Sequence, residues 1–303
     1  MNGGVRTLSA LLTVQVFFAI HYLAAKVVVE TVPPRAWAFT RVAAAAVILL
    51  LLNRIYRPGV RIAGRDMAKL ALFALVGVVF NQICFTEGIH RTTPSHSALI
   101  NTLIPVSTFL FALIFRTEAL SLRKGFGLLL SFSGVLVLLR VHDFSFDERW
   151  VRGDLLTLLN AFSFGLFLVV SRDVVRRYPS LTVTAYMMAW GALGIGLVGA
   201  RDFVRFDWGS LTAGLIGVMI WIVVFATVVN YLLNYYALAR VESSTVALFI
   251  YLQPLLATIL SVALGREELT GRFLASAALV FAGVFLVARA RRETPRAKIL
   301  EAE

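Results

Sequence analysis

The sequence has little of what stabilises a soluble or secreted protein. Cys84 is the one cysteine among 303 residues, so an intrachain disulfide is excluded. Charged residues make up 15% of the chain, against about 25% in soluble domains. The sequence also lacks a His-Glu-x-x-His metal pair, a Gly-x-Ser-x-Gly elbow and a Gly-rich phosphate loop. These absences disfavour a disulfide-stapled domain and an enzyme, and they predict no catalytic residue, cofactor or metal site.

Apolar residues are abundant instead. They make up 59% of the chain, and the mean hydropathy is +0.83. The formal net charge of +12 on its own suggests a nucleic-acid partner. A soluble domain cannot bury this much apolar surface, whereas a chain embedded in lipid has no need to. The composition therefore predicts the lipid bilayer as partner and argues against nucleic acid.

Ten apolar runs are long enough to cross the hydrocarbon core, which takes about 20 residues of helix. They cover roughly residues 7–29, 33–52, 67–89, 92–115, 121–139, 153–175, 180–200, 209–238, 243–264 and 269–288. The linkers between them are short, which is typical of antiparallel neighbours. The sequence predicts an all-α, polytopic membrane protein with ten transmembrane helices, called spans 1 to 10.

The basic residues are distributed unevenly between the two sides of these spans. With the N-terminus in the cytoplasm, eighteen Lys and Arg residues fall on the inner side and nine on the outer side. The positive-inside rule then favours both termini in the cytoplasm. We expect a multi-pass protein of the plasma (inner) membrane of a bacterium. Residues 290–303 are predicted to be a basic cytoplasmic tail.

The chain contains an internal repeat. A shift of 149 positions aligns residues 81–140 with residues 230–289, and fifteen positions are identical, including Asn81 with Asn230 and Pro105 with Pro254. A shift of 146 aligns Phe18 with Phe164. Apolar bias alone rarely matches Asn and Pro in register. We therefore predict a first repeat at residues 1–140, with spans 1 to 5, and a second at 141–289, with spans 6 to 10.

Each repeat has an odd number of spans, so the second copy must enter the membrane from the opposite side. Two inverted repeats related by an axis in the membrane plane are typical of alternating-access transporters, which bind substrate at the repeat interface. Duplication that merely enlarges a helical bundle is the alternative reading. The repeat predicts a secondary transporter of a small molecule.

Polar side chains inside the spans are candidates for lining the substrate path. Span 1 places Gln15, Tyr22 and Lys26 on one face. Lys26 has two readings, snorkelling to the interface or binding a substrate carboxylate. Amides on spans 3 and 8 suit a zwitterionic substrate, with interhelical hydrogen bonding as the alternative. The predicted substrate-binding residues are Gln15, His21, Tyr22, Asn81, Phe85, Asn101, Asn160, Ser163, Asn230, Asn234 and Tyr251.

Two prolines fall in the middle of spans 4 and 9. Pro105 and Pro254 each remove a backbone hydrogen bond and free the carbonyl four residues earlier, those of Asn101 and Ile250. We predict helix kinks at both prolines, which either line the site or serve only packing.

The residues around these prolines resemble a known family. The segment from Gly88 to Arg140 and its copy from Ala237 to Arg289, with Leu252-Gln253-Pro254 and Leu264-Gly265-Arg266-Glu267-Glu268-Leu269, look like the second half of an EamA-type domain. The first copy departs from the pattern where Arg116-Thr117 replaces Leu-Gly before the Glu. The resemblance covers nearly the whole chain and places it in the drug/metabolite transporter superfamily, as a ten-helix exporter.

The resemblance implies export of small metabolites, often amino acids, and the chain is similar to exporters of aromatic amino acids. A proton-coupled drug or cation antiporter is the alternative function, and an intramembrane enzyme is the remote one. Glu87, His90 and His96 near the outer turn, and His21 within a span, are the titratable groups available for proton coupling. Facilitated diffusion fits the sequence equally well. Either a monomer or a homodimer is compatible with it.

Overall fold

The computed structural model describes residues 3–92, 94–119, 121–138, 148–263 and 271–290, and these contain helices and no strand. The first half holds α1 (Gly3–Thr31), α2 (Pro34–Tyr56), α3 (Gly64–Ala74), α4 (Asn81–Arg91), α5 (Pro94–Asn101), α6 (Leu103–Ile114) and α7 (Leu122–Leu138). The second half holds α8 (Glu148–Val170), α9 (Arg172–Arg177), α10 (Ser180–Arg205), α11 (Ala213–Trp221), α12 (Asn230–Leu238), α13 (Ser243–Leu248), α14 (Leu252–Ala263) and α15 (Gly271–Ala290).

The prediction of an all-α, polytopic membrane protein is confirmed. Within the described ranges, six helical stretches are long and apolar enough to cross a bilayer, namely Gly4–Thr31, Pro34–Tyr56, Gly64–Arg91, Val151–Val170, Ser180–Arg205 and Ala213–Leu238. The other four predicted spans correspond to shorter helices, with α5 and α6 forming span 4, α7 span 5, α13 and α14 span 9, and α15 span 10. Of the predicted tail, residues 291–303 lie outside the described residues.

The packing pairs are those expected of two related repeats. Helix α2 packs on α10, and α7 packs on α15, so each repeat supplies one member of both pairs. Helix α8 packs against α4 and α6, and its counterpart α1 packs against α12 and α14. Ser131 Oγ donates to the carbonyl oxygen of Val280 at 3.2 Å, and these two positions are themselves 149 residues apart. The packing is thus consistent with the two-repeat layout.

Helices α7 and α15 approach so closely that their backbones touch at glycines. A Cβ atom added to Gly134 would lie 2.9 Å from the carbonyl oxygen of Ser276, and one added to Gly127 would lie 2.8 Å from that of Gly283. Ser276 Oγ in turn donates to the Gly134 carbonyl at 2.7 Å. Such spacing of small residues is how membrane helices pack tightly where no hydrophobic effect drives them together.

Spans 3 and 8 each contain a π-helical segment that the sequence analysis missed. Leu75–Phe80 joins α3 to α4, and Ile222–Val229 joins α11 to α12. Both segments end one residue before an aligned asparagine, Asn81 in the first repeat and Asn230 in the second. Insertion of a wider turn changes which face of the following helix points inward, and such turns are common at functional sites. The repeats therefore share a local distortion as well as a topology.

Spans 4 and 9 are interrupted beside their prolines. Helix α5 ends at Asn101 and α6 resumes at Leu103, two residues before Pro105. In the second repeat a 3-10 turn, Phe249–Tyr251, separates α13 from α14, which begins two residues before Pro254. Because proline cannot donate to the preceding turn, the chain reorganises there rather than continuing as one α-helix. The two breaks lie at aligned positions and face the centre of the bundle.

Candidate functional site

A cavity lies at the centre of the bundle between the two repeats. The cavity has a volume of about 60 Å³, which is enough to hold a few water molecules. The lining residues are Phe18, His21, Tyr22, Arg41, Asn81, Gln82, Phe85, Asn101, Ile104, Asn160, Phe164, Tyr231, Ile250 and Gln253. Four pairs of aligned positions occur in this set: Phe18 with Phe164, Gln82 with Tyr231, Asn101 with Ile250, and Ile104 with Gln253. The backbone positions that form the cavity thus follow the repeat. Most of its polar side chains, however, have no polar counterpart at the aligned position.

Arg41 brings a positive charge to the cavity wall while only 1% of the residue is exposed. Its Nε donates to Thr227 Oγ1 at 2.6 Å, and Nη1 approaches His21 Nε2 at 3.0 Å. Nη1 also donates to Gln82 Oε1 at 3.2 Å. These partners carry no formal negative charge, and within the described part of the chain no carboxylate forms an ion pair with Arg41. A membrane-buried cation usually has a counter-ion, so Arg41 is the distinctive group of this site.

The π-helix of span 8 supplies two of the Arg41 partners. Thr227 lies within Ile222–Val229, and Arg41 Nη2 donates to the carbonyl oxygen of Ala226, also in that segment, at 3.3 Å. A π-turn loosens the regular hydrogen-bond ladder and leaves carbonyl groups available to side chains. The aligned segment of span 3 behaves similarly, because Ser163 Oγ donates to the Val76 carbonyl at 2.6 Å.

A second polar arrangement is a chain of side-chain hydrogen bonds that links both repeats. Gln253 Nε2 donates to Gln15 Oε1 at 2.7 Å, and the Tyr22 hydroxyl donates to Gln253 Oε1 at 3.1 Å. Asn101 Nδ2 donates to the Tyr22 hydroxyl at 3.0 Å. The chain ends at Asn101 Oδ1, which is buried and has no hydrogen-bond partner.

Aromatic rings form the apolar part of the wall. The imidazole of His21 stacks on Phe85 with ring centroids 5.4 Å apart, and Tyr22 lies 6.1 Å from the same ring. Phe18 and Phe164 line the cavity from aligned positions on α1 and α8. Flat apolar faces next to a cation suit a ligand that carries both an aromatic ring and an anionic group.

Two of the predicted amides form an interhelical pair. Asn81 Nδ2 donates to the Asn160 carbonyl at 3.2 Å, and Asn160 Nδ2 donates to the Asn81 carbonyl at 3.1 Å. In the second repeat, Asn230 Nδ2 donates to the carbonyl of Val14 at 3.3 Å, and Val14 aligns with Asn160. Val14 has no amide to return the bond. The geometry shows these asparagines bridging spans 3 and 6, and spans 8 and 1.

The eleven predicted substrate-binding residues divide into three groups. Six of them line the cavity: His21, Tyr22, Asn81, Phe85, Asn101 and Asn160. Gln15 reaches it only through its bond to Gln253. Four are not part of the lining: Ser163, Asn230, Asn234 and Tyr251. The hydroxyl of Tyr251 and Oδ1 of Asn234 are buried without hydrogen-bond partners.

The predicted set leaves out the residue that dominates the cavity, Arg41. Its signal in the sequence is plain, since an arginine in the middle of an apolar span is rare and usually functional. Gln82 and Tyr231 were also missed, although a shift of 149 aligns them and the structure joins them by a hydrogen bond of 2.7 Å. The missed aromatic residues, Phe18 and Phe164, are themselves a repeat-matched pair.

Lys26 bonds to backbone carbonyls at the end of span 3. Its ammonium donates to the carbonyl oxygens of Ile89 and His90, both at 3.1 Å, and of Thr92 at 3.2 Å. These carbonyls belong to the C-terminal turn of α4, where backbone acceptors lack helical donors. A lysine there also complements the helix dipole. Lys26 therefore fastens the end of α1 to the end of span 3.

A polar cluster at the opposite end of the spans joins the repeats. Glu118 Oε1 accepts from the backbone N–H of Ser244 at 3.1 Å, at the start of α13, and its other oxygen accepts from the Ser244 hydroxyl. Lys124 Nζ lies 3.1 Å from Glu118 and 2.5 Å from Glu242. Near Lys26, Thr92 Oγ1 donates to Asp154 at 2.5 Å and so links the repeats at the other end. The cavity lies between two sets of polar contacts that cross the repeat boundary.

The other titratable groups near the Lys26 end are engaged in local contacts. Glu87 pairs with Arg35 at 2.7 Å and with Arg91. His90 Nδ1 lies 2.8 Å from the Val29 carbonyl. The side chain of His96 lies outside the described residues. In the part of the chain that the structure describes, no three His, Cys, Asp or Glu side chains are grouped so as to hold a metal ion.

Comparisons with known proteins agree on the family. The chain matches the EamA-like transporter family twice, at residues 6–140 and at residues 151–289. An uncharacterized transporter of Archaeoglobus fulgidus is 26% identical over 279 residues, covering 91% of this chain and 96% of that protein. The uncharacterized transporter YyaM of Bacillus subtilis is 25% identical, covering 76% of this chain and 75% of its own length.

A solved crystal structure shares the fold. It has a TM-score of 0.77 and covers 97% of this chain and 100% of its own, at 19% identity. The family matches both halves of the chain, the helices are long and apolar enough to span a membrane, and the relatives are named as transporters. This chain is therefore a multi-pass membrane transporter and belongs to the EamA-like transporter family.

Proposed function

We propose that this protein exports small metabolites, namely amino acids with aromatic ones favoured, across the inner membrane of a bacterium by alternating access. The substrate occupies the central cavity between the repeats and undergoes no chemical change. The observation that carries the proposal is Arg41, a buried cation in the cavity wall without a carboxylate partner among the described residues.

The charge of Arg41 selects the substrate class. A cation inside a membrane protein is costly unless an opposite charge lies near it, and the neutral partners Thr227, His21 and Gln82 compensate it only in part. The carboxylate of an amino acid completes the compensation by a charge-assisted hydrogen bond. A cationic drug would meet like charge, because none of the described lining residues is an Asp or a Glu. Carboxylate substrates are thus favoured over the drug or cation alternative.

The aromatic preference rests on the remaining wall. Phe18, Phe85 and Phe164 offer ring faces in the same cavity as Arg41. Offset or edge-to-face contacts between aromatic rings contribute about 0.5–1.5 kcal/mol beyond burial of their area. An aliphatic side chain would gain the burial but not this additional term.

Alternating access is supported by where the repeats touch. The Glu118 contacts with Ser244 and the Thr92 contact with Asp154 lie at opposite ends of the cavity. Breaking one set while keeping the other opens the cavity to one side of the membrane at a time, as expected for inverted repeats. The basic residues concentrated on one side support an orientation with both termini in the cytoplasm, and export then requires a higher substrate concentration on that side.

Counterflow in proteoliposomes tests the proposal. Vesicles loaded with unlabelled phenylalanine are expected to accumulate labelled phenylalanine, and tryptophan and tyrosine are expected to compete better than alanine. Arg41→Met should raise the half-saturation constant at least about tenfold, because a hydrogen bond to a charged group is lost. Arg61→Met, which removes an exposed arginine of the loop before α3, is the matched control and should behave as wild type. Normal transport by Arg41→Met, or competition by aliphatic and not aromatic amino acids, would contradict the assignment.

A further inference from the structure

We propose that the cavity recognises the two charged groups of an α-amino acid at two separate subsites, the carboxylate at Arg41 with His21, and the ammonium at Asn101 Oδ1. This inference rests on the proposed function, which by itself requires only that the cavity bind a carboxylate. The inference adds a binding site for the ammonium group of the substrate and names Asn101 as the residue that accepts its hydrogen bond.

The tautomer of His21 follows from its neighbour. A guanidinium group only donates hydrogen bonds, so His21 Nε2, 3.0 Å from Arg41 Nη1, must be the acceptor. The proton of the neutral ring then lies on Nδ1. That N–H is buried without a hydrogen-bond partner, in a residue that is 3% exposed and lines the cavity. His21 thus adds to the cavity wall a donor that is separate from the guanidinium, and a carboxylate has two oxygens that accept hydrogen bonds.

Asn101 presents the opposite chemistry. One N–H of its amide donates to the Tyr22 hydroxyl, and its oxygen is the acceptor that it can offer to a ligand. That oxygen is buried without a partner, and the residue is 2% exposed. Buried polar atoms in native proteins are nearly always hydrogen-bonded, and the exceptions need an explanation. An ammonium group, which has donors and no acceptor, is the natural partner of this oxygen.

The hydrogen-bond chain behind Asn101 fixes its orientation. Tyr22 donates to Gln253 Oε1, and Gln253 donates to Gln15 Oε1, so the Tyr22 hydroxyl can only accept from Asn101. Asn101 therefore enters this chain as a donor, and its oxygen has no partner in the chain. The chain includes Gln253 from the second repeat and therefore couples the ammonium subsite to the relative position of the two repeats.

Asn101 is distinct from the amides that only join helices. Asn81 and Asn160 satisfy each other reciprocally, and neither side-chain oxygen is left buried without a partner. The oxygens of Asn230 and Asn234 are buried without partners, but these residues do not line the cavity. Among the described asparagines, Asn101 alone combines an oxygen that is fully buried without a partner with a place in the cavity wall.

The aligned positions show that neither subsite is duplicated. Ile250 stands at the position aligned with Asn101, and Met187 at the position aligned with Arg41. The backbone of the cavity follows the repeat, but its donors and acceptors are confined to one arrangement. A zwitterion therefore fits in one orientation rather than in two related by the repeat.

Three probes separate the subsites in proteoliposomes containing the full chain. Phenylalanine carries both charges, 3-phenylpropionate carries only the carboxylate, and phenethylamine carries only the ammonium. Each competes against labelled phenylalanine in counterflow. Phenylalanine should bind at least about tenfold more tightly than either analogue, as expected when one charge-assisted hydrogen bond is missing.

Variants of Asn101 test whether this residue causes the preference for phenylalanine over 3-phenylpropionate. Asn101→Leu should weaken phenylalanine about tenfold and leave 3-phenylpropionate within about threefold of its wild-type affinity, so that the preference disappears. Asn101→Asp keeps an acceptor and should retain the preference for phenylalanine. Asn234→Leu is the matched control, because the oxygen of Asn234 is also buried without a partner but the residue does not line the cavity; it should leave all three affinities unchanged.

The outcomes separate this inference from the proposed function. If wild type transports phenylalanine and 3-phenylpropionate competes equally well, the ammonium subsite is wrong and the transport function stands. If Asn101→Leu weakens both ligands equally, its role is structural and the inference is overturned. If folded wild type, checked by size-exclusion chromatography, moves no phenylalanine, the proposed function fails as well. The comparison of probes on wild type needs no variant, so it remains decisive if Asn101→Leu does not fold.

Discussion

Gln82 and Tyr231 occupy aligned positions in the two repeats and are joined to each other by a hydrogen bond of 2.7 Å from Gln82 Nε2 to the Tyr231 hydroxyl. Their separation of 149 residues is the spacing that also relates Pro105 to Pro254. Gln82 uses its oxygen to accept from Arg41 at 3.2 Å. One side chain thus connects the charge of the cavity with the boundary between the repeats.

Replacing Gln82 with glutamate should disable substrate binding without unfolding the protein. In Gln82→Glu a carboxylate stands where the amide oxygen lies 3.2 Å from Arg41 Nη1 and competes with the carboxylate of the substrate. The half-saturation constant for phenylalanine should rise at least about tenfold, with thermal stability unchanged or higher. Counterflow and a melting curve in detergent measure the two effects.

The control at the same position is Gln82→Met, which removes both hydrogen bonds but leaves the charge of Arg41 uncompensated. It should lower the melting temperature and keep substrate affinity within about threefold of wild type. Equal losses of affinity in the two variants would show that shape at position 82, and not charge, controls binding.

The reciprocal pair of Asn81 and Asn160 should matter to stability more than to binding. Asn81→Leu removes the hydrogen bond from Asn81 Nδ2 to the Asn160 carbonyl and keeps the bond from Asn160 Nδ2 to the backbone carbonyl of residue 81. Interhelical hydrogen bonds in membranes contribute about 1 kcal/mol, so the free energy of unfolding should fall by about that amount. The double variant with Asn160→Leu removes the second bond as well and should lose about twice as much. A large drop in affinity at unchanged stability would instead place Asn81 in contact with substrate.

The contact between α7 and α15 should not tolerate a methyl group. In Gly283→Ala the new Cβ would lie 2.8 Å from the backbone nitrogen of Ser131 and closer still to the carbonyl oxygen of Gly127. Overpacking of this kind costs about 1–3 kcal/mol, which denaturation in detergent can measure. Gly125→Ala, on the same pair of helices but with nothing within 4 Å, should be neutral or stabilising by up to about 1 kcal/mol. Equal effects would show that the helices separate readily.

Transport should proceed without an imposed pH difference. His21 and Arg41 are in contact at 3.0 Å, so a second proton on His21 would place two cations side by side. The described lining contains no Asp or Glu that could carry a proton instead. Flux of phenylalanine down its own gradient should therefore change by less than about twofold when a pH gradient is added. Absence of flux until the gradient is applied would establish proton coupling and contradict the prediction.

The fold could be predicted from the sequence because the features that determine it are either local or repeated along the chain. Apolar runs define the spans, and polar residues that recur in register, such as Pro105 with Pro254, reveal the duplication. The π-helices give no comparable signal. Leu75–Phe80 and Ile222–Val229 are ordinary apolar stretches, and their wider turns depend on side chains from other helices, such as Ser163 and Arg41.

The site was readable only in part for a related reason. Membership of His21, Tyr22 and Asn101 in the cavity follows from polarity within a span. Whether an amide faces a ligand or another helix depends on the rotation of each helix, and that rotation is set by packing. Asn230 is an example. It stands at the position aligned with Asn81, but its side chain bonds to the backbone of Val14. Lys26 likewise finds backbone carbonyls that only the folded chain brings near it.

The mismatch between a repeated backbone and unrepeated polar groups has a kinetic consequence. In alternating access, the states open to the two sides are related by exchanging the conformations of the repeats. Arg41 and Asn101 belong to the first repeat only, so the substrate meets different chemistry at the two openings. The half-saturation constants measured from the two sides should therefore differ. For a carrier without coupling, detailed balance still holds the ratio of maximal rate to half-saturation constant equal in both directions, so the side that binds more tightly is also the side that transports more slowly.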